Sequence, residues 1–214
     1  MTNMTHKELI TSNEYKQFLA IKHSEIKSLI VTEVEKQSIW ARIANMYQIT
    51  GLLAFVLGLF KAFMPFFTKR ESIYLIWLAL GLIFTFTLLI IMHELIHALA
   101  YRYVGARNLS FGMNIRKFMF YVQADKQVLN YKQFKIVALA PVVTVAIVSI
   151  LGMIIFYNHA AFYFFIPIFA FHSMFCGGDF GLLCIFANHK GMEILTFDDK
   201  LNKTSFFYGK PLSF

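Results

Sequence analysis

Four apolar runs separated by polar links fill residues 47–189, and charged, polar segments flank them on both sides. The first run, about 47–67, is long enough as a helix to cross a hydrocarbon core of roughly 30 Å. A short polar link at 68–72 leads to a second run over about 73–103. Between Ile136 and Gly178 there is no Asp, Glu, Lys or Arg, a stretch too long for one crossing. Tyr157-Asn158-His159-Ala160 divides it into a third span, about 134–157, and a fourth, about 161–189. The pattern predicts an all-α membrane protein with four transmembrane helices.

The flanking segments follow other periods. Residues 1–45 mix charges of both signs with Phe18, Ile26, Leu29 and Ile30, predicting an amphipathic N-terminal helix with a capping box from Thr11 and Glu14. Between spans two and three, residues 109–115 alternate apolar with small or polar positions, and 118–122 form a second short candidate strand. That alternation predicts a short β-hairpin. The organisation expected is an arm over 1–45, a four-span domain over 46–189 with a loop at 105–133, and a polar tail over 190–214 with no motif.

Charge orients this arrangement. The chain is 58% hydrophobic with net charge +8, and its Lys and Arg number six before the first span, two in the next link, seven from Arg102 to Lys135 around the loop between spans two and three, none in the following link and four in the tail. The alternation places both termini and the middle loop on the cytoplasmic side of a cell membrane. Basic residues placed this way read as topology signals and contacts with anionic membrane lipids, not as a nucleic-acid surface. Lys61, inside the first span, is expected to snorkel to the outer interface, and Gly51 and Gly58 to permit close helix packing. Cys176 and Cys184 lie in one apolar helix, so no disulfide between them is expected. No basic-then-apolar signal peptide opens the chain.

The chemistry sits at the downstream end of the second run, in His93-Glu94-Leu95-Ile96-His97. On a helix, positions i and i+4 share a face, so the two imidazoles can ligate one zinc ion per chain, the H-E-x-x-H arrangement. Glu94 would accept a proton from water attacking a carbonyl and pass it to the leaving amine. The pair follows an uncharged stretch from Ser72 to Met92, a setting where Glu and His are costly without partners or function.

Zinc hydrolases need a third protein ligand. His93 lies twenty residues past Ile73, or roughly 30 Å, and Asp179 eighteen past Ala161, or roughly 27 Å, so the two fall at similar depth near the cytoplasmic edge. Asp179 is also the only acidic residue in these spans besides Glu94. His172 and Cys176 share its helix face and stand as rivals, with His172 also able to act as a hydrogen-bonding support or oxyanion donor. Gly177 and Gly178 are expected to loosen the helix there.

With His93-Glu94-Leu95-Ile96-His97-Ala98-Leu99-Ala100, Ala140-Pro141 and Gly177-Gly178-Asp179 in view, the chain resembles a family of bacterial membrane zincin peptidases, distantly similar to site-2 intramembrane metalloproteases. The resemblance spans roughly residues 47–189. It implies a bacterial plasma-membrane enzyme with His93, His97 and Asp179 as zinc ligands and Glu94 as the catalytic residue. Site-2 proteases often carry Gly-Pro-x-x-Asn in the helix between; Thr144 stands where that asparagine would be and becomes a candidate supporting or oxyanion group. A peptide must be extended to be cut, and an exposed strand edge bearing Leu109, Phe111, Met113 and Ile115 could hold it by β-augmentation.

The function expected is zinc-dependent endopeptidase action on membrane-associated or transmembrane peptides near the cytoplasmic face. The alternative is a non-hydrolytic metal-binding membrane protein, such as a sensor, immunity or transport component. Transport is weakened by the scarcity of other polar groups in the spans and by the lack of a repeat.

Overall fold

The two polar ends of the chain pair with each other as strands. The computed structural model describes residues 4–114 and 119–212, which are mostly helical with some β-strand. The chain divides into two compact units, one of Met1–Ala41, Glu94–Ala140 and Gly178–Phe214, the other of Arg42–His93 and Pro141–Gly177.

The first unit is built on a four-stranded sheet. Helix α1 (His6–Thr11) is capped reciprocally: the Glu8 N–H donates to the Thr5 hydroxyl, and the Thr5 N–H to the Glu8 carboxylate. The expected capping pair Thr11 and Glu14 is therefore corrected to Thr5 and Glu8. Strand β1 (Lys16–Lys22) runs antiparallel to the last strand, with Lys16 opposite Gly209, and α2 (Ile26–Glu35) follows. A single amphipathic helix over the arm is thus replaced by helix, strand, helix and the start of α3 (Ile39–Lys69).

After α4 (Ile73–Phe86) and α5 (Leu88–Tyr103) comes the expected hairpin, β2 (Leu109–Asn114) paired with β3 (Met119–Ala124). Ile115 and Phe118 lie outside the described residues. Then β4 (Leu129–Asn130) leads into α6 (Tyr131–Ile155), α7 (Phe162–Phe175), α8 (Gly177–Asn188), β5 (Met192–Asp199) and β6 (Thr204–Pro211). The sheet order is β1-β6-β5-β4. The all-α expectation is corrected by this sheet. Its core holds Leu9, Val128, Leu195, Phe197 and Tyr208, with Ile185, Phe186, Ile194 and Phe207 packed in a second cluster.

Buried polar groups tie this unit together. The Asn188 amide donates to the Glu33 carboxylate at 2.6 Å and to its backbone carbonyl at 3.0 Å, and Lys36 Nζ donates to the same carboxylate at 2.6 Å. Burial pushes the Glu33 carboxyl up, but these hydrogen bonds outweigh burial and hold it below the usual glutamate range. Asp198 is the opposite case. Burial pushes its carboxyl up and Asp125 adds to that, against a hydrogen bond from the Ser205 hydroxyl at 2.5 Å and the nearby His23.

The second unit is helical. A Cβ on Gly51 would meet Ser173 Oγ at 2.5 Å, and one on Gly58 would meet Ile166 Cδ1 at 2.5 Å, so these glycines allow α3 to lie close against α7. Lys61 Nζ stands 6.0 Å from the centre of the Tyr157 ring. Between α4 and α5 the chain bends by 46°. Thr87, at the bend, turns its hydroxyl back to the Ile83 carbonyl at 2.6 Å, a side-chain bond that competes with the helical ladder.

Among the described residues, three helical segments are long and apolar enough to cross a membrane: Ile39–Lys69, Tyr131–Ile155 and Phe162–Asn188. There are four if the bent α4–α5 pair is one span. The segment expected as the fourth span is interrupted at Cys176, directly before the two glycines.

Candidate metal centre

Helix α5 carries His93, Glu94 and His97. Its buried face includes His93, His97, Ala100 and Tyr101, whereas Leu95 and Leu99 are exposed, the pattern of a helix with one packed side. Gly105, at φ 94°, ends it: the Gly105 N–H donates to the Arg102 carbonyl, and the Ala106 N–H to the Tyr101 carbonyl at 2.9 Å. The two histidines therefore sit one turn apart on one rigid face.

Helix α6 sets the protonation of His97. Its start is fixed by a reciprocal cap, with the Asn130 N–H donating to Gln133 Oε1 and the Gln133 N–H to Asn130 Oδ1. Gln133 Nε2 also donates to the Val104 carbonyl at 3.2 Å, tying α6 to the end of α5. Four residues past Val137 stands Pro141, which has no N–H, so the Val137 carbonyl lacks its helical donor. His97 supplies one: its Nδ1 lies 2.9 Å from that carbonyl. A carbonyl only accepts, so Nδ1 carries a proton, and in the neutral ring a metal ligand requires, Nε2 keeps the lone pair.

That lone pair faces a carboxylate. His97 Nε2 lies 3.1 Å from Asp179 Oδ1, and Asp179 sits in the first turn of α8, where the positive end of the helix favours a negative group. A proton on Nε2 or a metal ion shared by the two atoms satisfies both groups at this distance. Two N or O ligands at about 2.0–2.1 Å from a tetrahedral zinc stand about 3.3 Å apart, which matches this separation. The backbone-bound imidazole is also the usual arrangement of a metal-ligating histidine, whose second nitrogen is held by a carbonyl. Zinc fits the His97 and Asp179 donors, and His93 stands one helical turn before His97 on α5.

Glu94 is half-buried in the same unit as His97 and Asp179, and the backbone N–H of Val122 in β3 faces its carboxylate. The hairpin expected from the alternation is thus set beside the residue expected to move protons.

The two rivals for the third ligand position belong to another group. His172 and Cys176 are wholly buried, His172 Nε2 lies 3.1 Å from His93 Nδ1, and Cys176 Sγ lies 3.5 Å and 3.7 Å from His172 Nδ1 and Nε2. The structure thus brings Asp179 to His97, and His172 with Cys176 to His93. Thr144 is exposed on α6.

Of the strand residues, Leu109 packs against the cluster of Ala98, Val122 and Ala124, and Phe111, opposite Val122, is exposed. Met113 lies in β2, and Ile115 is outside the described residues. Sequence reasoning did not single out Val137. Its signal was Pro141, which marks the carbonyl four residues earlier as needing a donor.

Residues 86–192, half of the 214-residue chain, match a family described as "Putative zincin peptidase". The match contains His93, Glu94, His97, Pro141, His172, Cys176 and Asp179. No curated protein and no solved structure matches the chain. By the match over half its length, the chain belongs to the "Putative zincin peptidase" family.

Proposed function

We propose that the chain is a zinc-dependent endopeptidase that cuts membrane-associated or transmembrane peptides near the cytoplasmic face of the membrane. His93, His97 and Asp179 are its metal ligands, and Glu94 is its proton carrier. The observation that supports this reading is the His97–Asp179 pair: an imidazole whose Nδ1 is held by the Val137 carbonyl turns its Nε2 to a carboxylate oxygen at 3.1 Å, the spacing of two ligands of one zinc ion.

Bound zinc would polarise the scissile carbonyl and ease ionisation of the attacking water. Glu94 takes the proton from that water and delivers it to the leaving nitrogen. Its place beside Val122 keeps the carboxylate next to a strand. The hairpin holds substrate: β2 pairs only with β3 in the described two-stranded sheet, leaving an edge on which an extended peptide can add as a further strand. Apolar side chains exposed along the helices, such as Leu52, Leu57, Phe60 and Ile154, face lipid acyl chains. The Lys and Arg pattern sets both termini and the hairpin on the cytoplasmic side.

The test is Asp179→Ala in the full chain, purified in detergent and assayed on a reporter carrying a transmembrane segment. Cleavage should be lost and zinc retained less well against a chelator. Cleavage at the unaltered rate would remove Asp179 from the ligand set.

A further inference from the structure

We infer that His93, His172 and Cys176 form a second metal-ligand set, suited to a thiophilic cation such as Zn2+, Cd2+ or Cu+, that competes with the first set for His93. All three residues are buried, His172 and Cys176 completely, and they lie in one compact unit. Each offers one ligand atom, and these atoms lie within 4.8 Å of one another. Ligands of a tetrahedral zinc at about 2.0–2.1 Å for nitrogen and about 2.3 Å for sulfur stand about 3.3 Å apart for an N–N pair and about 3.5 Å for an N–S pair. The separations here are 3.1 Å for His93 Nδ1 to His172 Nε2 and 3.7 Å for His172 Nε2 to Cys176 Sγ. One ion can meet all three with small side-chain shifts.

The chain supports this locally. His172 and Cys176 are four residues apart, which places both on one face of α7 and its C-terminal cap. Imidazole with thiolate is the donor mix that selects zinc and softer ions, whereas the His–His–Asp set is harder. Because His93 serves both sets, an ion held with Cys176 leaves His97 and Asp179 short of a ligand. That competition, though not the second set itself, rests on the function proposed above.

Cobalt reads the two sets apart, because sulfur ligation gives a near-ultraviolet charge-transfer band. In the full chain in detergent, His97→Ala/Asp179→Ala should still bind one Co2+ per chain with that band, and adding Cys176→Ser should abolish the band and weaken binding at least tenfold. Should the double variant fail to fold, Cd2+ added to the unaltered protein should give a sulfur-to-cadmium band that Cys176→Ser removes. A folded double variant binding no cobalt, or cobalt without the band, overturns the second set. So does unaltered protein with no cadmium–sulfur band, which would leave a hydrogen-bonded His93–His172–Cys176 chain in its place. Neither result bears on cleavage, so the proposed peptidase function stands or falls separately.

Discussion

His97 Nδ1 donates to the Val137 carbonyl at 2.9 Å, and that carbonyl is without a helical donor because Pro141 stands four residues on. The proline thereby fixes which nitrogen of His97 keeps a lone pair. Pro141→Ala returns an N–H to the α6 ladder and sets it in competition with His97 for one carbonyl. Metal affinity at the His97–Asp179 set should fall about 10- to 100-fold, the usual cost of losing such a supporting hydrogen bond. Chelator competition in a Cys176→Ser background measures this, with Pro65→Ala in α3 as a control for proline loss. Equal affinity in Pro141→Ala and its parent would show that the carbonyl does not orient His97.

Glu33 joins α2 to the end of α8 through Asn188. Its carboxyl is held below the unfolded glutamate value, so the unfolded chain takes up protons first on acidification. The stabilisation is complete above the unfolded value of about 4.3 and is lost as pH falls through the folded value. Glu33→Ala should cost about 1–3 kcal/mol at neutral pH, the scale of hydrogen bonds to a charged group, and much less in acid. Thermal denaturation of both proteins across that range checks it; a deficit that persists undiminished in acid would contradict the assignment.

Asp198 predicts the reverse slope. Its folded value is raised, so the unfolded carboxyl ionises first as pH rises, and stability falls from about pH 3.9 up to the folded value. Asp198→Asn keeps an acceptor for the Ser205 hydroxyl and removes a half-buried charge beside Asp125. The variant should melt at or above the parent temperature at neutral pH and match it in strong acid. A lower melting temperature at neutral pH would mean that the ionised form is the one the fold favours.

Local and covalent-spacing features were legible in the sequence. The i, i+4 spacing identified the His93–His97 face, and counting residues from the start of two apolar runs picked out Asp179, which the fold sets against His97. The hairpin was visible as alternation because its strands are close in sequence. The four-stranded sheet was not, since β1 pairs with β6 across nearly the whole chain, Lys16 with Gly209, and Leu129 pairs with Thr196. Neither β1 nor β5 alternates cleanly: Ile194, Leu195, Thr196 and Phe197 are all buried, so burial on both faces erased the period of two. His172, Cys176 and Asp179 were expected on one helix face, but α7 ends before Cys176 and Asp179 opens α8, and the approach of His172 to His93 depends on side-chain packing that spacing does not encode.

In the proposed function, Glu94 moves protons at a zinc ion that other residues hold. This role is tested most directly by measuring zinc content and peptidase turnover together in the unaltered protein and in Glu94→Gln. One zinc per chain is expected in both, with turnover lower by about 10²- to 10⁴-fold in the variant, the usual contribution of a positioned general base. Unaltered protein without zinc, or Glu94→Gln with unchanged turnover, would contradict it.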